Sequence, residues 1–169
     1  NHAACDTVEY AYDDWALGRF IQANFPEKQE EAKVFLNRGK NYQNVFHPKY
    51  KFFVPRSRSG EYKVPKIWIN WVDSDYVEGD AWHYRFFAPH DIEGLISLFN
   101  STEHFIDQLD EFFSRSKLDP FNVVPNPYYW AGNEHDLFSV WAFNWAQRQD
   151  KTQEYARWLL QHKYTDQPD

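Results

Sequence analysis

Residues 27–46 read EKQEEAKVFLNRGKNYQNVF. Within them Ala32, Phe35, Leu36, Tyr42, Val45 and Phe46 stand at i, i+3, i+4, i+10, i+13 and i+14, one face of a 3.6-residue period. The spacing predicts a single amphipathic helix over 27–46, and Pro26 suits its first turn, where the missing N–H is no loss. The period returns at Phe105, Ile106, Leu109, Phe112 and Phe113, behind the cap candidates Ser101 and Thr102. Asp150 with Gln153 reads as a capping-box variant opening a further helix, KTQEYARWLLQHKY, over 151–164. Val8–Ile21 and Leu137–Ala146 are apolar on more than one face, the pattern of helices buried in something larger.

Two irregular stretches separate these segments. Residues 47–75 are rich in Pro, Gly, Ser and β-formers and read as a long loop with a short hairpin around Ser59-Gly60. Residues 117–133, KLDPFNVVPNPYYWAGN, carry three prolines. Long loops in a compact domain often serve function. The chain therefore reads as all-α: at least six helices, antiparallel to their neighbours, with elaborate loops at one end. No internal repeat or low-complexity segment interrupts the pattern.

Composition narrows the function classes. Of 169 residues, 43% are hydrophobic and 25% charged, enough apolar surface for one core. The aromatic share, 20%, comprises eight Trp, eleven Tyr and fifteen Phe. Such rings pack helical cores and also face sugars. A net charge of −7 without a Lys/Arg cluster argues against a nucleic-acid partner. No apolar run approaches the ~20 residues of a membrane-spanning helix. Cys5 is alone, so no disulfide forms within the chain. Asn100-Ser101-Thr102 is a glycosylation sequon, meaningful only in a secreted eukaryotic protein.

The chemistry concentrates in three places. Asp75–Asp91, DYVEGDAWHYRFFAPHD, mixes acids, histidines and rings as neither a core nor a solvated face does. Asp73, Asp75, Glu78 and Asp80 superficially resemble a calcium loop. They fail the EF-hand template, because Gly79 is out of place and Tyr84 stands where the bidentate Glu belongs. Glu78 is flanked by Val77, Trp82 and Tyr84; burial against them would raise its pKa and suit a general acid. The competing reading is a Glu that caps the following helix. Asn133, Glu134, His135 and Asp136 open an apolar helix after Gly132. Capping explains them, and oxygen ligation of a hard cation such as Ca²⁺ is the alternative. Glu9 and Asp13 share a helix face four residues apart, where like charges repel, so either a solvated stripe or ligand contact accounts for them. His83, His90 and His135 lack zinc spacing. No P-loop, G-x-G-x-x-G or G-x-S-x-G is present.

The blocks TVEYAYDDWALGRF (7–20), YVEGDAWHYRFFAPHDIEGLI (76–96), WAGNEHDLFSVWAFNWA (130–146) and KTQEYARWLL (151–160) resemble, in order and spacing, glycoside hydrolase family 92. That family comprises calcium-dependent, inverting exo-α-mannosidases. The resemblance implies that residues 1–169 are part of an (α/α)6 toroid catalytic domain. It implies Glu78 as general acid, and Asn133 and Glu134 as contributors to the Ca²⁺ site that grips the mannose hydroxyls. Trp82, Glu9, Asp14 and Asp91 match positions that line or brace the sugar site, with His90 beside Asp91 as a further contact; Phe86 and Phe87 read as core. Mannose-containing glycans would be the substrates and a secreted or extracytoplasmic setting the compartment.

The sequence departs from the family pattern at three points. His135 replaces a common Pro, and Asp80 replaces the amide of "EGN". Tyr129-Trp130 stand where some members carry a His-Glu pair tied to a mannose leaving group, which puts α-1,2-mannobiose specificity in question. The family's catalytic base, an aspartate, belongs to a block beyond TDQPD (165–169), so the chain alone is expected to be inactive and completed by other polypeptide. Two alternatives stand beside this reading: a carbohydrate-binding protein that keeps the fold without catalysis, and another (α/α)6 glycosidase that needs no calcium.

Overall fold

The computed structural model describes residues 2–69, 75–118 and 126–164. It contains helices α1 (Ala3–Asn24), α2 (Gln29–Arg38), α3 (Ala81–Tyr84), α4 (Ile92–Ser97), α5 (Thr102–Ser116), α6 (Glu134–Ser139) and α7 (Gln149–His162). Short 3₁₀ turns cover Pro26–Lys28, Asn41–Val45 and Val140–Asn144. Isolated antiparallel bridges, Phe46 with Phe53 and Arg56 with Tyr62, are the β pairing among the described residues. The all-α reading holds.

α1 and α2 form a hairpin through the 3₁₀ turn that Pro26 opens. They approach closely because Gly18 has no side chain: a Cβ there would lie 2.9 Å from Leu36. The helix expected over 27–46 stops at Arg38 instead. Gly39 N–H closes onto Phe35 O at 2.9 Å, and the chain turns into Asn41–Val45. Tyr42 is thereby drawn into the core, where its hydroxyl donates to Asp91 Oδ2 at 2.7 Å. Tertiary burial of one tyrosine overrides a helical period through Asn37, Gly39 and Asn41, all weak helix formers.

α5 follows the prediction. Ser101 Oγ accepts from His104 N at 3.1 Å, and Phe105, Leu109, Phe112 and Phe113 are buried. α7 packs Tyr155 onto Phe113 and Phe143 with ring centres 4.7 and 5.7 Å away. Its start differs from expectation: Asp150 lies inside the first turn and grips the Arg148 guanidinium at 2.8 and 2.7 Å, so no side chain caps the helix. The Ser59-Gly60 hairpin exists in minimal form, with Ser57 N–H on Glu61 O at 2.8 Å and Gly60 at φ 92°.

Aromatic side chains fill the centre around Arg85, itself 1% exposed. Cys5 is fully buried in α1. Of the two segments read as apolar on several faces, each leaves rings or aliphatics uncovered: Leu17 and Phe20 on α1, and Leu137, Trp141 and Trp145 around α6. Leu137, Trp141, Leu160 and Tyr164 line a groove between α6 and α7. Among the described residues no helix is long and apolar enough to cross a membrane.

Candidate functional site

The turn carrying Glu78 is fastened on both sides. Before it, Tyr76 OH donates to Phe53 O at 2.6 Å and Asp75 pairs with Lys63 at 2.6 Å. Tyr84 OH lies 2.8 Å from Val77 O, and Asn133 Nδ2 donates to Glu78 O at 3.0 Å. After it, Asp80 caps α3: Oδ1 accepts from Trp82 N at 2.8 Å while Asp80 N–H donates to His83 Nδ1 at 3.0 Å. Held this way, Glu78 adopts φ 51°, a left-handed conformation that costs a non-glycine residue on the order of 1–3 kcal/mol. Gly79 makes the approach of Asn133 possible, since a Cβ would lie 3.1 Å from its Nδ2 and 3.3 Å from His83 Cβ. The Glu78 side chain is exposed, so it is not shielded by Val77, Trp82 and Tyr84 as expected.

α1 joins this turn to α6 through Glu9. Glu9 Oε1 lies 3.2 Å from Tyr84 OH and 3.1 Å from His135 Nε2. The His135 ring stands between Tyr84 and Phe87, with centres at 4.2 and 4.5 Å, and its Nδ1 is 2.8 Å from Asn133 Oδ1. Burial lowers the His135 pKa, against the pull of Glu9. Three sequence blocks thus meet at one place.

Behind the turn lies a buried charged cluster. His83 Nε2 is 2.8 Å from Asn126 O and 3.8 Å from Asp136 Oδ2, which accepts Trp130 N–H at 2.7 Å. Burial pushes His83 down, but the Asp80 hydrogen bond and the charges of Asp136 and Asp80 outweigh it, and its pKa is raised. Burial pushes Asp136 well above the carboxylate range, only partly countered by His83. Asp80 Oδ2 and Asp136 Oδ1 are buried without a hydrogen-bond partner among the described residues.

The other expected site residues hold structural posts. Trp82 is 8% exposed, its ring packed on Phe52 and Tyr128, with the Arg85 guanidinium 4.6 Å away. The Trp82 ring, which the resemblance places at the sugar site, packs inward from the first turn of α3. Asp91 caps α4 through Gly94 N and binds Tyr42 OH, His90 Nε2 donates to Gly39 O at 2.7 Å, and Asp14 pairs with Arg38 at 2.9 Å. Tyr129 is buried, 3.1 Å from Tyr164 OH, so that position offers core rather than a polar pair. Asp73 lies outside the described residues.

Calcium takes six to eight oxygens. Asn133 caps α6, and its Oδ1 accepts His135 N–H at 3.1 Å as well as facing the ring nitrogen, so its amide is committed within the chain. Glu134 is exposed in the first turn of α6 and is the hard oxygen donor of the pair that fits a cation. Among the described residues no group of three or more His, Cys, Asp or Glu is arranged to hold a metal.

Glu9, Glu78, Asn133 and Glu134 stand out in the sequence, whereas the bracing role of Tyr84 and the joining of Asp80, His83 and Asp136 into one cluster do not. Asp80 and His83 at i, i+3 carry a capping-box spacing that was there to be read. The bridging role of His135 had no spacing signal, since Glu9 is 126 residues away.

An exposed carboxylate on a strained, heavily braced turn of an all-helical fold is an arrangement suited to a glycosidase catalytic domain. The chain belongs to glycosyl hydrolase family 92, whose catalytic-domain model matches residues 1–169. Its helices are part of that domain's (α/α)6 toroid. A family 92 inverting mannosidase of Bacteroides thetaiotaomicron superposes with a TM-score of 0.81 at 24% identity, over 96% of this chain and 24% of that one. A second family 92 α-mannosidase of the same organism, solved with mannoimidazole, gives 0.79 at 25% identity, over 96% and 22%. An uncharacterized secreted glycosidase of Arthroderma benhamiae is 24% identical over 95% of this chain and 22% of its own length. The chain spans about a quarter of the length of these relatives.

Proposed function

We propose that these residues form the acid-bearing part of an α-mannosidase that releases terminal mannose from glycans with inversion. The braced, exposed Glu78 carries this reading: its carboxyl donates a proton to the departing glycosidic oxygen. An inverting reaction also needs a carboxylate base ~6.5–9.5 Å from the acid, with water between. Family 92 membership supports a base supplied by polypeptide outside these 169 residues, since the chain spans about a quarter of its relatives' length. The mannosidase relatives support the substrate class, and the secreted fungal relative supports an extracytoplasmic setting.

Calcium belongs to the same proposal, with Glu134 as the ligand this chain supplies. When bound, the ion would orient the sugar hydroxyls. The test uses the full-length protein. Glu78→Gln should lower turnover of glycan substrates by roughly 10²–10⁴-fold. A dinitrophenyl α-mannoside, whose leaving group needs little protonation, should lose far less. Normal turnover of glycans by this variant would refute the acid assignment. Activity unchanged after chelation would remove calcium from the proposal.

A further inference from the structure

We propose that Glu9, Tyr84, His135 and Asn133 form a two-armed clamp that sets the direction of the Glu78 side chain, with Glu9 as its anchor rather than a sugar contact. The proposal rests on the reading of Glu78 as acid. One arm runs from Glu9 Oε1 to Tyr84 OH at 3.2 Å and on to Val77 O at 2.8 Å. The other runs from the same oxygen to His135 Nε2 at 3.1 Å, then from Nδ1 to Asn133 Oδ1 at 2.8 Å, and from Asn133 Nδ2 to Glu78 O at 3.0 Å.

Both arms end on consecutive backbone carbonyls, those of Val77 and Glu78. Fixing two consecutive peptide planes fixes φ of the residue between them, and that residue sits at φ 51°. A glutamate in this region relaxes toward the extended or helical basin unless its surroundings forbid it. Relaxation would swing its Cα–Cβ bond and carry the carboxyl away from the leaving oxygen. The bare Gly79 agrees with this, since any side chain there would crowd the amide that holds the carbonyl. So does His135. The neutral ring carries one N–H, so it hydrogen-bonds one of the two oxygens, Glu9 Oε1 or Asn133 Oδ1, and packs beside the other, while the flanking Tyr84 and Phe87 rings fix its plane.

Asn133→Asp in the full-length protein is the first test. It keeps the oxygen that caps α6 and replaces the donor to Glu78 O with a second oxygen. Turnover of glycans should fall roughly 10–100-fold, the scale of a 1 Å misplacement. Turnover of dinitrophenyl α-mannoside should change little, and the half-saturating calcium concentration should stay put. Tyr84→Phe breaks the other arm without touching α6 and should show the same split between leaving groups; it decides the matter if the first variant fails to fold. Equal losses on both substrates, wild-type turnover, or recovery at high calcium would overturn the clamp. If Glu78→Gln itself shows no dependence on leaving group, the acid reading fails first. If that variant shows it and the clamp variants do not, the clamp alone fails.

Discussion

The guanidinium carbon of Arg85 lies 4.0 Å from the centre of the Phe52 ring, among aromatic side chains of the core. Trp82, Phe86 and Phe99 complete the surround, while Nε donates to Lys51 O and a terminal nitrogen donates to Gln108 Oε1 at 2.6 Å. Burial pulls the Arg85 pKa down to about 9. The flat guanidinium satisfies a loop carbonyl and α5 at once while stacking on rings, which a lysine cannot do. Arg85→Lys should therefore destabilise the domain by about 2–4 kcal/mol, measured by chemical denaturation of the full-length protein.

Trp82 gives a second test of core against cleft. Trp82→Ala should cost about 3–5 kcal/mol, whereas Trp82→Phe keeps much of the packing and should leave inhibitor affinity unchanged. A Phe variant that unfolds like the wild type but binds a mannose-mimicking inhibitor tenfold more weakly would return this ring to the sugar site.

The Asp80–His83–Asp136 cluster predicts a pH dependence whose sign is fixed. His83 has a folded pKa above 6.5, so its contribution is complete below that value and is lost as pH rises through the raised one. Asp136 has a folded pKa above 3.8, so folding favours its protonated form and loses stability as pH rises past 3.8. Both act in one direction. Asp136→Asn keeps an oxygen for Trp130 N–H and should flatten the decline in stability that sets in as pH rises past 3.8. Parallel wild-type and variant stability profiles would contradict the cluster's role.

Gly79→Ala places a methyl 3.1 Å from Asn133 Nδ2. The amide has to retreat, so turnover of glycans should drop about tenfold while the denaturation midpoint hardly moves. A large stability loss with normal turnover would mean that Gly79 serves packing alone.

Much of the fold was legible where the apolar period and its cap coincide, as at Ser101 and the Phe105–Phe113 stripe. It was illegible where one distant contact outbids local preference. Tyr42 leaves the helical register for Asp91, 49 residues on. Asp150 abandons its expected cap for Arg148. In the site, composition drew attention to Glu78, Glu9 and Asn133. It gave no hint that Asn133 faces a carbonyl, or that Trp82, Asp91 and His90 are spent on packing and capping. Those assignments depend on which way a side chain points from a short helix or turn, and residue type does not encode that.

Cys5 sits in α1 fully shielded, its thiol donating to His2 O at 3.2 Å, and burial lifts its pKa to about 11. A thiol reagent therefore meets neither access nor thiolate while α1 and the Glu78 turn stay together. When they part, both barriers fall at once. The rate at which Cys5 reacts is thus a clock for the local opening of this corner, and its slowing by a bound inhibitor would report how tightly the ligand holds the turn shut.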